Sequence, residues 1–378
     1  MISIKEFEDL LVFEENQKNT IEELKREKLP LILWGAGDIA SAVNQYLEIN
    51  GIVPTIVWVD QAEGGIKEEN FEGIPIATLD KIKEKYDEFN VIIGHSHYDL
   101  GDEILQREPQ IRRVYYFVSV SYEQYENISA QFVKDNIKAY YNSFCCLEDE
   151  ESRCAMTAYL NARMNGDIHY VKRSFRHKQN FFNNDIFHIG QNESFLDVGA
   201  FDGDTIYLFL QECEKKYDEI FAFEPDDSAF IRLQAYVENE DIKNVSLFQT
   251  GTWNKEGTLY FATPKEAKNQ SASVSVTEAM KQIRVNTLDN MLKHRVTMLK
   301  INFLYGVLET LVGAQNILER DKPKLAVVVG FDEWALINIP QYIKKIVPEY
   351  QLYLRYNRCM PAALTLYAKN GGNETDEY

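Results

Sequence analysis

The stretch FLDVGAFDGDT at residues 195–205 constrains this chain most. Phe195–Val198 reads as a short buried strand, Gly199 and Gly203 break it, and a helical pattern starts at Thr205. A strand running through a glycine turn into a helix is the opening unit of an open α/β sheet, where ligands bind beyond the carboxyl ends of the strands. Gly199 leaves the backbone bare for a close approach. Asp197 and Asp202 put carboxylates where phosphate-cradling turns present only amides, so a pyrophosphate is disfavoured. The next strand, Ile220–Phe223, ends in Glu224-Pro225-Asp226, and a carboxylate at that position can accept both hydroxyls of a ribose. An adenosine carrying an amino group and a positive sulfur matches these charges, which favours S-adenosylmethionine over NAD on electrostatic grounds. The plain structural alternative is a tight turn whose Asp residues cap the next helix, followed by a solvated strand end.

The 378 residues suggest two or three domains. Alternating strand and helix patterns appear twice, which predicts an α/β fold with two Rossmann-like domains. The first domain is placed at 1–120. It has a charged helix over 1–28, a strand Leu31–Trp34, a helix Ala40–Ile49 stopped by Gly51, and a strand Ile56–Val59 ending at Asp60. IPIATLDKIKEKYDEF then reads as a helix, with strands at Val91–Ile93 and Tyr115–Val118. Residues 121–190 read as a helical connector, 191–369 as the second domain and 370–378 as a disordered tail. The second domain adds strands at Val245–Gln249, Thr258–Phe261, Ile283–Val285, Thr297–Ile301 and Leu325–Val329, and a closing pair, Gln351–Tyr356 and Ala363–Ala368.

Gly35-Ala36-Gly37, with Asp60 at the end of the following strand, has the spacing of a dinucleotide turn, but Asp38 inside it disfavours a pyrophosphate. A structural or docking role for this turn stands beside a ligand role, and a nicotinamide enzyme is a weaker third idea. With 40 basic and 59 acidic residues the net charge is −19, which argues against nucleic acid as a partner. No apolar run approaches a membrane span, and the N-terminus lacks a signal pattern, so a soluble, cytoplasmic protein is expected. Five cysteines without a C-x-x-C pair fit free thiols, and no metal site is expected. His95 and His97 read as polar groups of a loop or pocket. The aromatic pairs Tyr115-Tyr116, Tyr140-Tyr141 and Phe181-Phe182 suit helix packing, with sugar stacking as the alternative.

Asp197–Thr205, Phe223-Glu224-Pro225, Lys255-Glu256-Gly257-Thr258, Asn286-Thr287-Leu288-Asp289, Leu311-x-Gly313-Ala314 and Ile339-Pro340-x-Tyr342-Ile343 together resemble the FkbM-type S-adenosylmethionine-dependent methyltransferases. Glu150-Glu151-Ser152-Arg153 and Leu160-Asn161-Ala162-Arg163 extend the resemblance over about 145–369. It implies a seven-stranded sheet with a final antiparallel hairpin, bound S-adenosylmethionine, and methylation of a hydroxyl on a sugar, glycan or secondary metabolite, a place within polysaccharide biosynthesis included. By position, Asp197 and Gly199 would hold the methionine end, with Ala200, Asp202, Asp204 and Thr205 in the same turn. Glu224 and Pro225 would meet the ribose, and Thr250, Gly251 and Trp253 the adenine. The first domain resembles small Rossmann-like domains that accompany enzymes of sugar and surface-polysaccharide modification.

One departure bears on turnover. The family pattern after the fourth strand is Lys-Ile-Asp-x-Glu-Gly-x-Glu, and here Asn302, Leu304 and Val307 stand in place of the three acids. Asn is no base and Leu holds no cation, while methyl transfer to a hydroxyl calls for a base and in-line geometry. The candidate catalytic residues are therefore Asn302, Tyr305 and Lys300 around this strand end, and Asp332, which with Glu333 replaces the missing carboxylate. The alternative is a catalytically degenerate binding or assembly module that keeps the cofactor pocket. The expected partner is a small-molecule or glycan acceptor; a homo-oligomer is left open.

Overall fold

The computed structural model describes residues 2–13, 17–60, 69–117, 128–176, 180–182, 185–262, 273–274 and 281–371. The N-terminal strands are β1 (Leu31–Trp34), β2 (Ile56–Trp58), β3 (Asn70–Phe71), β4 (Ile74–Ala77), β5 (Phe89–Ile93) and β6 (Ile111–Tyr115). They form one sheet in the order β3-β4-β2-β1-β5-β6. The order reverses at β1, so the turns after β1 and β5 flank the switch point, where open α/β sheets bind ligands.

The second half contributes β7 (Ser194–Val198), β8 (Glu219–Phe223), β9 (Val245–Phe248), β10 (Gly251–Thr252), β11 (Gly257–Ala262), β12 (Ser273–Val274), β13 (Lys281–Asn286), β14 (Met298–Ile301), β15 (Lys324–Val328), β16 (Tyr350–Tyr356) and β17 (Leu364–Asn370). Seven of these form the sheet β16-β17-β15-β14-β7-β8-β9, with β17 antiparallel to both β15 and β16. This is the α/β class and the terminal hairpin that the sequence predicts. Successive side chains on a strand alternate faces. Phe195, Ile220, Ala222 and Met298 pack on one face. Leu196, Val198, Phe221, Phe223, Leu299 and Ile301 pack on the other, in one core with the connector and part of the N-terminal domain. Alternation therefore puts Asp197, Lys300 and Glu224 on the same side of the sheet.

Three local expectations are corrected. Residues 1–28 hold two helices, Ile4–Glu8 and Gln17–Arg26, because a Ser3/Glu6 capping box starts the first and the chain then turns to Asn161, which accepts from the Val12 amide. Ile74–Ala77 is a strand pairing β2 and β3, and the helix begins only after Thr78, at Leu79–Lys85. The strand expected at 115–118 runs earlier, as β6 at Ile111–Tyr115, where it pairs with β5. Strands β10 to β13, whose sheet the sequence left unassigned, form a four-stranded sheet of their own. Residue 118 of the strand expected at 115–118, and residues 372–378 of the expected tail, lie outside the described residues.

The connector supplies the helix Glu150–Asn165, buried on nearly every side. Ser152 Oγ accepts from the Leu354 amide at 2.9 Å, Ala155 O accepts from the Tyr356 hydroxyl at 3.4 Å, and the Tyr159 hydroxyl donates to Gly330 O at 3.2 Å. The helix thus runs along β16 and past the carboxyl edge of β15. The neighbouring helix Ile137–Cys145 joins it through the Tyr140 hydroxyl, which donates to Glu333 O at 2.8 Å.

Gly313 lets the Trp253 carbonyl come so close that an added Cβ would overlap its oxygen. Gly313→Ala is expected to lower stability by about 2 kcal/mol. Gly257→Ala, where a Cβ meets nothing within 4 Å, should stay within about 0.5 kcal/mol of the parent. Urea midpoints of the two variants check this.

Candidate functional site

β7 pairs with β14 on one side, Asp197 beside Lys300, and with β8 on the other, Asp197 beside Ala222. Since β8 and β9 follow on one side of β7 and β14 lies on the other, the connections diverge between β7 and β14. The crevice of this sheet opens there. Asp197 is wholly buried; Lys300 Nζ donates to its Oδ1 at 2.7 Å and to the Gly199 carbonyl at 2.8 Å. Oδ2 of Asp197 has no hydrogen-bond partner among the described residues. Burial raises this carboxyl to about 6, against the pull of Lys300. The ring of Phe181 lies 5.5 Å from the ammonium.

The turn after β7 wraps the next carboxylate. Gly199 and Ala200 donate their amides to Phe223 O at 3.0 and 3.1 Å, and the Phe201 amide donates to Glu224 Oε2 at 3.0 Å. The Asp226 amide donates to Oε1 at 2.8 Å. Glu224 is 8% exposed, and burial pushes its carboxyl up to about 7 although both amides favour the charged form. Pro225 leads from it to Asp226, which caps the helix Asp227–Asn239. Gly199 has a left-handed φ of 76°, and a Cβ there would collide with the Asn302 carbonyl, so the turns after β7 and β14 touch across the crevice. Phe201 is left-handed too, at φ 51°, with the Arg232 guanidinium 4.9 Å from its ring.

The other predicted positions divide. Asp202 is partly exposed, at 4.0 Å from Arg232, and burial lifts its carboxyl above the usual range. Asp204 opens the helix Asp204–Glu212 behind Gly203 and accepts from the Thr205 hydroxyl at 3.2 Å. Thr250 donates to Arg284 O at 2.9 Å, Gly251 lies in β10, and the Trp253 ring packs on Gly306. These three are built into the four-stranded sheet and the turn after β14. Asn302 donates its amide to Val198 O at 3.1 Å; Tyr305 follows in the same turn. Leu304 is 8% exposed, and Val307 belongs to the main core. Asp332 accepts from the Trp334 amide at 2.7 Å, and burial raises its carboxyl above the usual range.

The first-domain turn is closed by its own neighbours. A Cβ on Gly35 would crowd the Gly94 carbonyl, and Asp60 accepts from both indoles, Trp34 Nε1 at 3.3 Å and Trp58 Nε1 at 3.1 Å. The two indoles stack at 4.0 Å, with His95 edge-on to Trp34. The carboxylate of the dinucleotide-type spacing is engaged by the two tryptophans. No group of three His, Cys, Asp or Glu among the described residues is placed to hold a metal, and no helix among them is long and apolar enough to cross a membrane. Sequence reasoning named Phe181 and Arg163 only as an aromatic pair member and a motif residue, and missed the ring beside Lys300, the Phe201 amide on Glu224 and the guanidinium without a partner among the described residues. The first depends on tertiary placement, the second on a backbone angle, and the third on what surrounds a helix.

Asp197 and Glu224 bind protons more tightly folded than unfolded. Their contribution to stability therefore rises as pH falls through the folded values, and is complete below the ordinary carboxyl range. Glu224→Gln removes its share. The stability of the parent relative to this variant should increase by on the order of 3 kcal/mol between pH 8 and pH 4. Denaturant titrations across that range check it; a flat difference would contradict the assigned burial.

Residues 197–352 match the model of the Methyltransferase FkbM domain. Among solved structures, the methyltransferase FkbM from Methylobacillus flagellatus KT aligns at 18% identity over 93% of this chain and 94% of that one, with a TM-score of 0.65, so both halves share its fold. An rRNA methylase from Streptococcus thermophilus aligns at 14% identity over 48% of this chain and 89% of that one, with a TM-score of 0.32. No curated protein matches the chain. The seven-stranded sheet and its two buried carboxylates thus lie in and around a stretch, 197–352, that matches the FkbM methyltransferase domain.

Proposed function

We propose that the protein binds S-adenosylmethionine at the β7–β14 crevice and methylates a hydroxyl of a sugar, glycan or metabolite. The observation that carries this reading is the pair of buried carboxylates, Asp197 and Glu224, on one face at the ends of adjacent strands. The residues present fit the cofactor. Asp197 Oδ2 is a buried acceptor with no partner, suited to an ammonium. Glu224 is fixed by one amide on each oxygen, and each oxygen keeps acceptor capacity for a ribose hydroxyl. Because Lys300 offsets the charge of Asp197, the pull on a cation comes mainly from Glu224, Asp202 and Asp204.

When bound, the cofactor supplies a methyl group on a positive sulfur, which leaves as a neutral thioether as the acceptor oxygen takes the methyl. The chain must orient the acceptor and remove its hydroxyl proton. Lys300 is committed to Asp197 and Gly199, so it serves the cofactor side. Asp332, just past β15 and with its carboxyl raised by burial, suits the base. Asn302 and Tyr305, on the turn after β14, suit hydrogen bonds to the acceptor.

The second reading is a binding module without turnover. It is favoured by Leu304 and Val307, which bury apolar side chains where the family pattern has acids. Calorimetry with S-adenosylhomocysteine tests what both readings share: binding is expected, with Glu224→Gln weakening it about tenfold or more. Absence of binding would overturn both. Transfer of a labelled methyl to a cell-envelope or metabolite extract separates them. The enzyme reading expects transfer, lowered at least about a hundredfold in Asp332→Asn with S-adenosylhomocysteine binding retained.

A further inference from the structure

The helix Glu150–Asn165 carries a charge that no acceptor among the described residues meets. Arg163 is 5% exposed, yet its guanidinium makes no ion pair or hydrogen bond among the described residues, and Nε is fully buried without a partner. A guanidinium has five donors and stays charged at every physiological pH, so burying it with no acceptor is costly. Arginines elsewhere in the same core are handled differently. Arg355, equally buried, is bound by Asp149, Asp185 and Ser152.

Arg163 lies at a specific place. One turn earlier on the helix, Tyr159 donates to Gly330 O, immediately after β15, and the guanidinium carbon stands 5.9 Å from the Tyr159 ring. Its charge acts on Asp332, Tyr140 and Tyr356 as well. The side chain is therefore past the carboxyl edge of the sheet, beside the loop that holds the proposed base. The nearby acids do not neutralise it by contact. Neither Asp332 nor Glu333 is within ion-pair distance of it, and Asp332 is tied to the Trp334 amide. Tyr159 and Tyr140 donate their hydroxyl protons to backbone carbonyls. The helix C-terminus favours a cation in its last turn but gives the guanidinium no acceptor.

We propose that Arg163 is the anion-binding residue of the acceptor side, and that the molecule methylated carries an oxyanion, a carboxylate or a phosphate, beside the hydroxyl. A planar, largely buried guanidinium pairs with such a group through two parallel hydrogen bonds. The inference rests on the methyltransferase reading for the identity of the acceptor, but the anion site itself does not.

The test is calorimetric titration of the full-length protein, with and without S-adenosylhomocysteine, using D-glucuronate, D-glucose 1-phosphate and D-glucose as probes. At least one anionic sugar should bind and glucose should not; which anion binds separates carboxylate from phosphate. Arg163→Met should weaken the anion at least about thirtyfold and leave S-adenosylhomocysteine affinity within about twofold. Arg163→Lys, which keeps the charge and loses the fork, should fall between them and covers the case in which Arg163→Met does not fold. Because no ion pair is lost, Arg163→Met should melt no lower than the parent. Glucose binding as well as the anions, no anion binding, or equal anion affinity in parent and Arg163→Met would overturn the proposal. Failure of S-adenosylhomocysteine to bind, with anion binding intact, would instead remove the methyltransferase reading and leave the anion site standing.

Discussion

A carboxylate wholly enclosed in a sheet needs a partner, and for Asp197 that partner is Lys300. The pair joins β7 to β14 across the point where the connections diverge, and its ammonium also holds the Gly199 carbonyl. The turn after β7 is thereby fixed, and its Phe201 amide is delivered to Glu224. One buried ion pair thus sets the geometry of both carboxylates, and the left-handed Gly199 lets the β14 turn close against it. Replacing either partner alone would leave a buried charge uncompensated, so the pair acts as a constraint on shape more than as a source of stability.

This arrangement changes the electrostatic account that the motifs suggest. The carboxylates at 197, 202, 204 and 224 look from the sequence like a uniformly negative mouth. In the folded chain, Asp197 is paired, Asp202 faces Arg232, and Glu224 is held by amides. What remains for a ligand is a set of directed acceptors, with Asp197 Oδ2 buried and without a partner among the described residues. Directed acceptors recognise an amino group and a pair of hydroxyls, whereas a diffuse negative field would attract any cation.

Much of the fold was legible because period and punctuation agree. The short, mostly apolar runs at 195–198, 220–223 and 325–328, bounded by turn residues, read as buried strands, and the glycines and caps mark where helices begin. The misreadings share a cause. Ile74–Ala77 is short and precedes a good helix pattern, so its pairing with β2 is invisible locally. Asp60 reads from the sequence only as part of a dinucleotide-type spacing with a structural role left open, and its partners are two indoles brought together by β1 and β2. Arg163 could be quoted from its motif, but only the packing of its helix shows that the charge has no partner among the described residues. Leu304 and Val307 were legible as lost acids; their burial shows that the turn after β14 has been repacked with apolar side chains.

The connector accordingly does more than join two domains. It places tyrosines on the carbonyls of the loop after β15 and brings Arg163 to the same edge of the sheet, while the β7–β14 crevice holds the Asp197–Lys300 pair. The most direct measurement of the central claim is a crystal structure of the protein soaked with S-adenosylhomocysteine. The account predicts ribose hydroxyls within hydrogen-bond distance of Glu224 and the amino-acid end beside Asp197 Oδ2. Density for the nucleoside away from the ends of β7 and β8, or on the Gly35 turn of the first domain, would contradict it.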